Sequence, residues 1–282
     1  MRKLSYPGRS NVLAQNGMVA TSNPLSSMVA INVLQKGGNA VDAAIAASAV
    51  QAVVCPSATG IGGDCFAIIS MNGKKPIAVN GSGIAPKRAN LQFYKDNKIK
   101  NIGLTSPHSV TIPGAVHAWC SMHEKFGRID FNEVLNGAEN FARKGFPVHE
   151  VEAIAWKENE KKLKKNPNSK RLFLNQNLSY SYGEVFKNIP LANTLRVISK
   201  NKIKGFYQSE ITKDMVKTLN KIGGLHTEED FYNQKTLFSK TISNSYRNLK
   251  VHQCPLNSPG LVVLMMMAMI EKLNIKKYHP SS

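Results

Sequence analysis

The stretch Lys36-Gly37-Gly38-Asn39-Ala40-Val41-Asp42-Ala43-Ala44 opens a run of almost pure Ala and Val that ends near Val54. Thr59-Gly60-Ile61-Gly62-Gly63-Asp64 follows closely. Gly37 or Gly38 suits the left-handed position just past a helix end. Asn39 is a good N-cap, and Asp42, three residues on, sets a carboxylate among the unpaired N–H groups of a first helical turn. The spacing predicts a helix over 40–54. It is apolar nearly all round and therefore belongs in the interior, where its alanines allow close approach of neighbours. These residues locate a fold and need not touch a substrate.

The rest of the composition fits a chain with a real core. It has 282 residues, 42% of them hydrophobic and 7% aromatic, enough for one large domain or two small ones. The densest apolar run, Leu261 to Ile270, is too short to span a bilayer, so no membrane partner is expected. Residues 1–17 lack an apolar signal core despite Arg2 and Lys3, and a cytoplasmic location is the expectation. Four cysteines at 55, 65, 120 and 254 form no CxxC pair and no zinc spacing. They read as buried free thiols, with no metal and no cofactor expected.

Net charge is +19, but the excess is spread out. Residues 1–150 carry 15 basic and 8 acidic side chains (+7), and the remainder carries 22 and 10 (+12). The densest run, Lys157 to Arg171, has no glycine-aromatic pattern or known binding motif. It reads as a solvated basic face and argues against nucleic acid as a partner. Polyanion contact and a missing acidic partner chain are the alternatives.

Periodicity and turn signals predict a short strand over 18–21 and a helix beginning at Asn23-Pro24. A hairpin through Asn72-Gly73 is predicted to join strands at 66–71 and 76–79. A further strand is expected over 109–112, then helices over 115–126 and from Asp130, the latter with a box-like start at Glu133. Residues 150–190 read as a helix and then a long surface connection. Helices near 191–199, 212–222 and 228–233 follow. Strands near 237–242 and 249–253, separated by a Ser-Asn turn, lead to a last helix from Pro259-Gly260.

Several pieces occur in an order that resembles the gamma-glutamyltransferase family, over roughly residues 9 to 278. They are Gly17 to Thr21, Gly37 to Ala44, Gly60 to Asp64, Pro113-Gly114-Ala115-Val116, Lys125-Phe126-Gly127 and Ala142 to Phe146. Gly223-Gly224-Leu225, Tyr246-Arg247 and Cys254 to Gly260 complete the series. The resemblance implies an α+β fold of the N-terminal-nucleophile hydrolase type, an αββα sandwich. This chain would be the large-subunit half only, a single domain over 1–282 with a lysine-rich surface connection about 157–190. Such enzymes cleave their own precursor before a threonine, whose new α-amino group serves as base for its hydroxyl. No Thr-Thr-His occurs in the sequence, which ends at Ser282, and no catalytic residue is assigned here. A small-subunit chain carrying the N-terminal Thr is the implied partner, with truncation or an inactive remnant as alternatives. A binding protein of the same half-fold is a further alternative.

The common family members grip a glutamyl carboxylate with an Arg in a segment shaped like Phe-Arg-Glu-x-Ala-Pro. The matching run here is Asn80-Gly81-Ser82-Gly83-Ile84-Ala85-Pro86, with Ser82 at the Arg position. A hydroxyl cannot replace a two-pronged ion pair. Asn80, Gly81 and Ser82 are the candidate substrate-binding residues, and Arg88 could reach in. A Gly-rich turn without a ligand role is the other reading of Ser82. The Asn-Gly-Ser-Gly form resembles a branch that includes oxamate amidohydrolase and acylase-like members. The implied substrate is therefore an acyl amide or a gamma-glutamyl compound.

Overall fold

A computed structural model describes residues 11–273. Helix α1 (Pro24–Gln35) starts at Asn23, whose Oδ1 accepts from Leu25 N. It ends in a Schellman motif, where Gly37 N donates to Leu34 O and Gly38 N to Val33 O, with Gly37 at φ 90°. Asn39 then caps α2 (Ala40–Val54) in a full capping box with Asp42. Helix α2 is buried as predicted, except along Ala40, Ala44, Ser48 and Gln51.

Strands β1 (Cys65–Ile69) and β2 (Ile77–Gly81) pair antiparallel, with Ile69 opposite Ile77. The hairpin is real, but its connection is seven residues long, Ser70 to Pro76, and Asn72 is not left-handed. Pro76 has no N–H to give a ladder, so β2 begins only at Ile77. A short helix α3 (Leu91–Asp96) leads to α4 (Ala115–Phe126) and α5 (Phe131–Lys144). Asp130 caps α5 through Asn132 N, and Glu133 closes no box.

The expected surface connection is more structured than predicted. It contains β3 (Phe146–Pro147), α6 (Glu150–Leu163), α7 (Pro167–Phe173), β4 (Leu174–Asn175), β5 (Leu178–Ser179) and β6 (Val185–Phe186). Trp156, Phe173, Tyr180 and Phe186 pack their rings together there. Their wide spacing among lysines and asparagines conceals them from any periodicity reading. Helix α8 (Ile189–Tyr207) runs longer than predicted and kinks at Lys202; α9 (Glu210–Lys221) and α10 (Glu228–Tyr232) follow. The predicted 237–242 strand divides into β7 (Leu237–Lys240) and β8 (Ile242–Tyr246). Ser243-Asn244 lies inside β8. The turn into β9 (Leu249–Gln253) is instead Arg247-Asn248, both left-handed (φ 46° and 67°), as a two-residue hairpin requires. Helix α11 (Gly260–Glu271) ends the described chain.

Helices α2, α4, α5 and α8 build the core, with Ile45, Val50, Val116, Trp119, Leu135, Leu195 and Ile198 almost fully buried. The sheet has the order β1-β2-β7. Gly81 lies against α4, where a Cβ would meet that of Ala118 at 2.4 Å. By alternation, Phe66 and Ile68 lie on the opposite face, 38% and 42% exposed. Beside this three-stranded sheet, β3-β6, β4-β5 and β8-β9 pair as separate two-stranded ribbons. Neither Met18–Thr21 nor Ser109–Ile112 is a strand. The first has no ladder partner among the described residues. The second begins in a 3-10 turn over Pro107–Ser109 and makes one strand-like bond, Ile112 N to Ile84 O at 2.9 Å.

Candidate functional site

The loop after β2 is pinned from several distant elements. Gly83 leaves no room for a side chain, since a Cβ would lie 1.9 Å from Ile112 O. Gly114 is pressed as closely, with Gly81 O 2.2 Å from where its Cβ would be. The Gly60-Ile61-Gly62-Gly63-Asp64 loop joins this packing. Gly63 O accepts from Gly114 N and Ala115 N, at 3.0 and 2.9 Å, and so caps α4. Asp64 Oδ1 accepts from Gly83 N at 2.7 Å. Buried Gln234 donates from Nε2 to Ser82 O at 3.0 Å and accepts from Ile84 N at 3.2 Å. Ser82 N donates to Asn80 Oδ1 at 3.0 Å.

Asn80, Gly81 and Ser82 thus stand together at one end of the sheet, with Ser82 partly exposed. Arg88 is exposed, and among the described residues no hydrogen bond or ion pair ties its guanidinium to them. Sequence reasoning missed Asn257. Its Nδ2 donates to Ser82 Oγ at 2.9 Å, and its Oδ1 accepts from Asn80 Nδ2 at 2.8 Å. Ser82 Oγ also lies 3.3 Å from Asn257 Oδ1. The signal was its place in the Cys254 to Gly260 segment, beside a loop that must return to the sheet. Asp64 carried a similar signal at the end of its Gly cluster.

Nothing in the described residues supplies an activated nucleophile. Burial pushes the Cys65 thiol up to about 11, with Cys254 and Asp64 adding to it, and pushes Cys120 up to about 12. Burial also raises Cys55 and Cys254. All four are free and stay protonated near neutrality. Thr212 Oγ1 is buried against Phe206 O, and Thr227 is tied into the capping box of α10. No group of three or more His, Cys, Asp or Glu among the described residues could hold a metal ion. No helix there is long and apolar enough to cross a membrane.

Two grooves flank α2, away from Ser82. One, of about 820 Å³, lies between α2 and β1 and is lined by Ala44, Ile45, Phe66, Ile68, Met71 and Trp119. The other, of about 880 Å³, lies between α2 and the extended segment Asn16 to Ser22.

Comparison with known proteins agrees with this architecture. The gamma-glutamyltranspeptidase family model matches residues 26–282. The glutathione hydrolase-like YwrD proenzyme of Bacillus subtilis is 31% identical over 96% of this chain and 52% of its own length. The glutathione hydrolase proenzyme of Escherichia coli is 30% identical over 95% and 47%. The chain spans about half the length of these curated relatives. Helicobacter pylori gamma-glutamyltranspeptidase superposes with a TM-score of 0.90 at 28% identity, covering 97% of this chain and 80% of that one. Cephalosporin acylase from Bacillus halodurans also gives 0.90, at 32% identity, covering 99% and 53%. The ordered motifs, the capped α2, the pinned loop after β2 and these matches lead to one conclusion: the chain belongs to the gamma-glutamyltranspeptidase family.

Proposed function

We propose that this chain is the large-subunit portion of an amidohydrolase that cleaves or transfers a gamma-glutamyl or related acyl group. The nucleophile is a threonine at the start of a second, small-subunit segment. Its α-amine takes the hydroxyl proton as the oxygen attacks the amide carbonyl, and N–H donors on that segment hold the developing oxyanion. This chain contributes the wall that binds the acyl group, Ser82 and Asn80 by hydrogen bonding and Gly81 by close backbone approach; Arg88, six residues on from Ser82, is a further candidate whose guanidinium is bonded to none of them among the described residues.

The half-length match to relatives named as proenzymes carries the reading. The outer edge of β1, which no strand pairs among the described residues, lies beside an apolar groove of about 820 Å³ and supports it. So does α11, where Met265 and Met269 are 56% and 60% exposed. An open strand edge and a large apolar face call for a covering partner. Autoprocessing of a single precursor follows from the same reading. Four free thiols support the cytoplasm as the working compartment.

The test is co-expression of this chain with a Thr-led small-subunit segment of a family member. A stable one-to-one complex that hydrolyses acyl anilides is expected. A complex without activity on any acyl amide, or no complex, would leave a non-catalytic half-fold instead.

A further inference from the structure

The side chain of Asn257 and that of Ser82 are joined across 175 residues of sequence, on an open surface where a turn needs no such fixing. Six polar groups of the loop from Ser82 to Ile84 are held by five residues, Asn80, Asp64, Gln234, Ile112 and Asn257, with Gln234 taking two of them. A rigid, partly exposed hydroxyl supported in this way is a preorganised binding group.

The proton count fixes what it can bind. Ser82 Oγ accepts from Asn257 at 2.9 Å, and the return contact to Oδ1 is the longer, at 3.3 Å. A ligand acceptor can take over the Ser82 O–H from that contact. Asn80 and Asn257 each keep a second amide hydrogen. The site is therefore a set of neutral donors. The Asp64 carboxylate borders the same loop, 2.7 Å from Gly83 N. No lysine or arginine side chain is bonded to Asn80, Ser82, Asn257 or Asp64 among the described residues. Neutral donors beside an anion favour an uncharged acceptor over a carboxylate.

We propose that Asn257 is a positioning residue that fixes the Ser82 hydroxyl, and that the pocket so formed takes an acyl group with an uncharged carbonyl, amide or ester, in preference to a carboxylate. This rests on Ser82 being part of the acyl site. The test uses the chain assembled with its small-subunit partner and two isosteric probes. These are gamma-glutamyl p-nitroanilide and its α-carboxamide counterpart, which differ in one charge. Calorimetric binding of glutamate and of glutamate α-carboxamide reads the same preference without turnover.

A preference for the carboxamide on the order of tenfold is expected in both measurements. Asn257→Ala frees the Ser82 hydroxyl, so it should weaken the carboxamide probe most and narrow the ratio, which the Asp64 carboxylate still holds above one; general loss of structure would not do this. Asn257→Asp keeps the size and adds an anion, so it should widen the preference; Ser82→Arg should reverse it. Equal or better binding of the carboxylate, binding of neither probe, or an unchanged ratio in both Asn257 variants would overturn the proposal. Carboxamide-selective binding without hydrolysis of either probe would instead sink the amidohydrolase reading and leave the selectivity standing.

Discussion

Replacing Asp42 with Asn probes the joint that sets α2 in place. Asp42 is fully buried. Its Oδ2 accepts from Asn39 N and Arg128 N, both at 3.0 Å, and Oδ1 lies 3.3 Å from Arg128 N. Asn39 Nδ2 in turn donates to Phe126 O at 2.6 Å. One carboxylate thus closes the capping box of α2 and ties it to the turn after α4. An amide of the same shape can keep its oxygen at the Oδ2 position and both 3.0 Å bonds, but it turns an NH2 toward Arg128 N, which sits 3.3 Å from Oδ1. Both bonds then lose their charge assistance, about 1 kcal/mol each, and two donors face each other. The total, roughly 2–3 kcal/mol, is a large share of the 5–15 kcal/mol that holds a typical protein folded. With a urea slope of about 2–3 kcal/mol/M, the unfolding midpoint of the assembled protein, followed by circular dichroism, should fall by about 1 M. Asn39→Ala combined with Asp42→Asn should cost less than the two changes added, because they share one joint. A midpoint within about 0.2 M of the parent would refute this account of how α2 is anchored.

Gly83→Ala and Gly114→Ala should each lower the melting temperature by several degrees, because their Cβ atoms would meet backbone at 1.9 and 2.2 Å; unchanged melting would show that the loop is loosely held. The thiols should react slowly with a disulfide reagent at pH 7 and all together on unfolding, since a pKa of about 11 at Cys65 leaves about one thiolate in ten thousand. Cys55, Cys120 and Cys254 are buried and Cys65 is partly so; one fast thiol in the native protein would contradict this account of them. Burial pulls the pKa of His117 and of His226 down. The unfolded chain then binds more protons than the folded one below the ordinary histidine pKa of about 6.5. Stability should be fully present above that pH and fall as pH drops through it. Melting temperatures at pH 7.5 and 5.5 check this, and equal values would count against it.

The local parts of the fold were legible in the sequence. The Asn39–Asp42 pair, the Gly37 stop and the Asp130 cap depend on residues within four positions of each other. Strand assignments at 18–21 and 109–112 did not hold, because a strand exists only where a neighbour completes its ladder. The aromatic cluster around Trp156 was hidden by a polar, lysine-rich background. Asn80 and Ser82 could be picked out by motif. Their pairing with Asn257 and Gln234, 175 and 152 residues from Ser82, could not be read, because hydrogen bonds over such spans leave no periodic trace.

The central claim is that this half carries the acyl-binding wall and a partner carries the nucleophile. Ser82→Cys in the assembled enzyme tests it most directly, because the four native thiols are free and held protonated by burial. Alkylation at position 82 should abolish turnover, and saturating substrate should slow the alkylation by at least about tenfold. Full activity after complete labelling, with a labelling rate indifferent to substrate, would place the acyl group elsewhere and contradict the account.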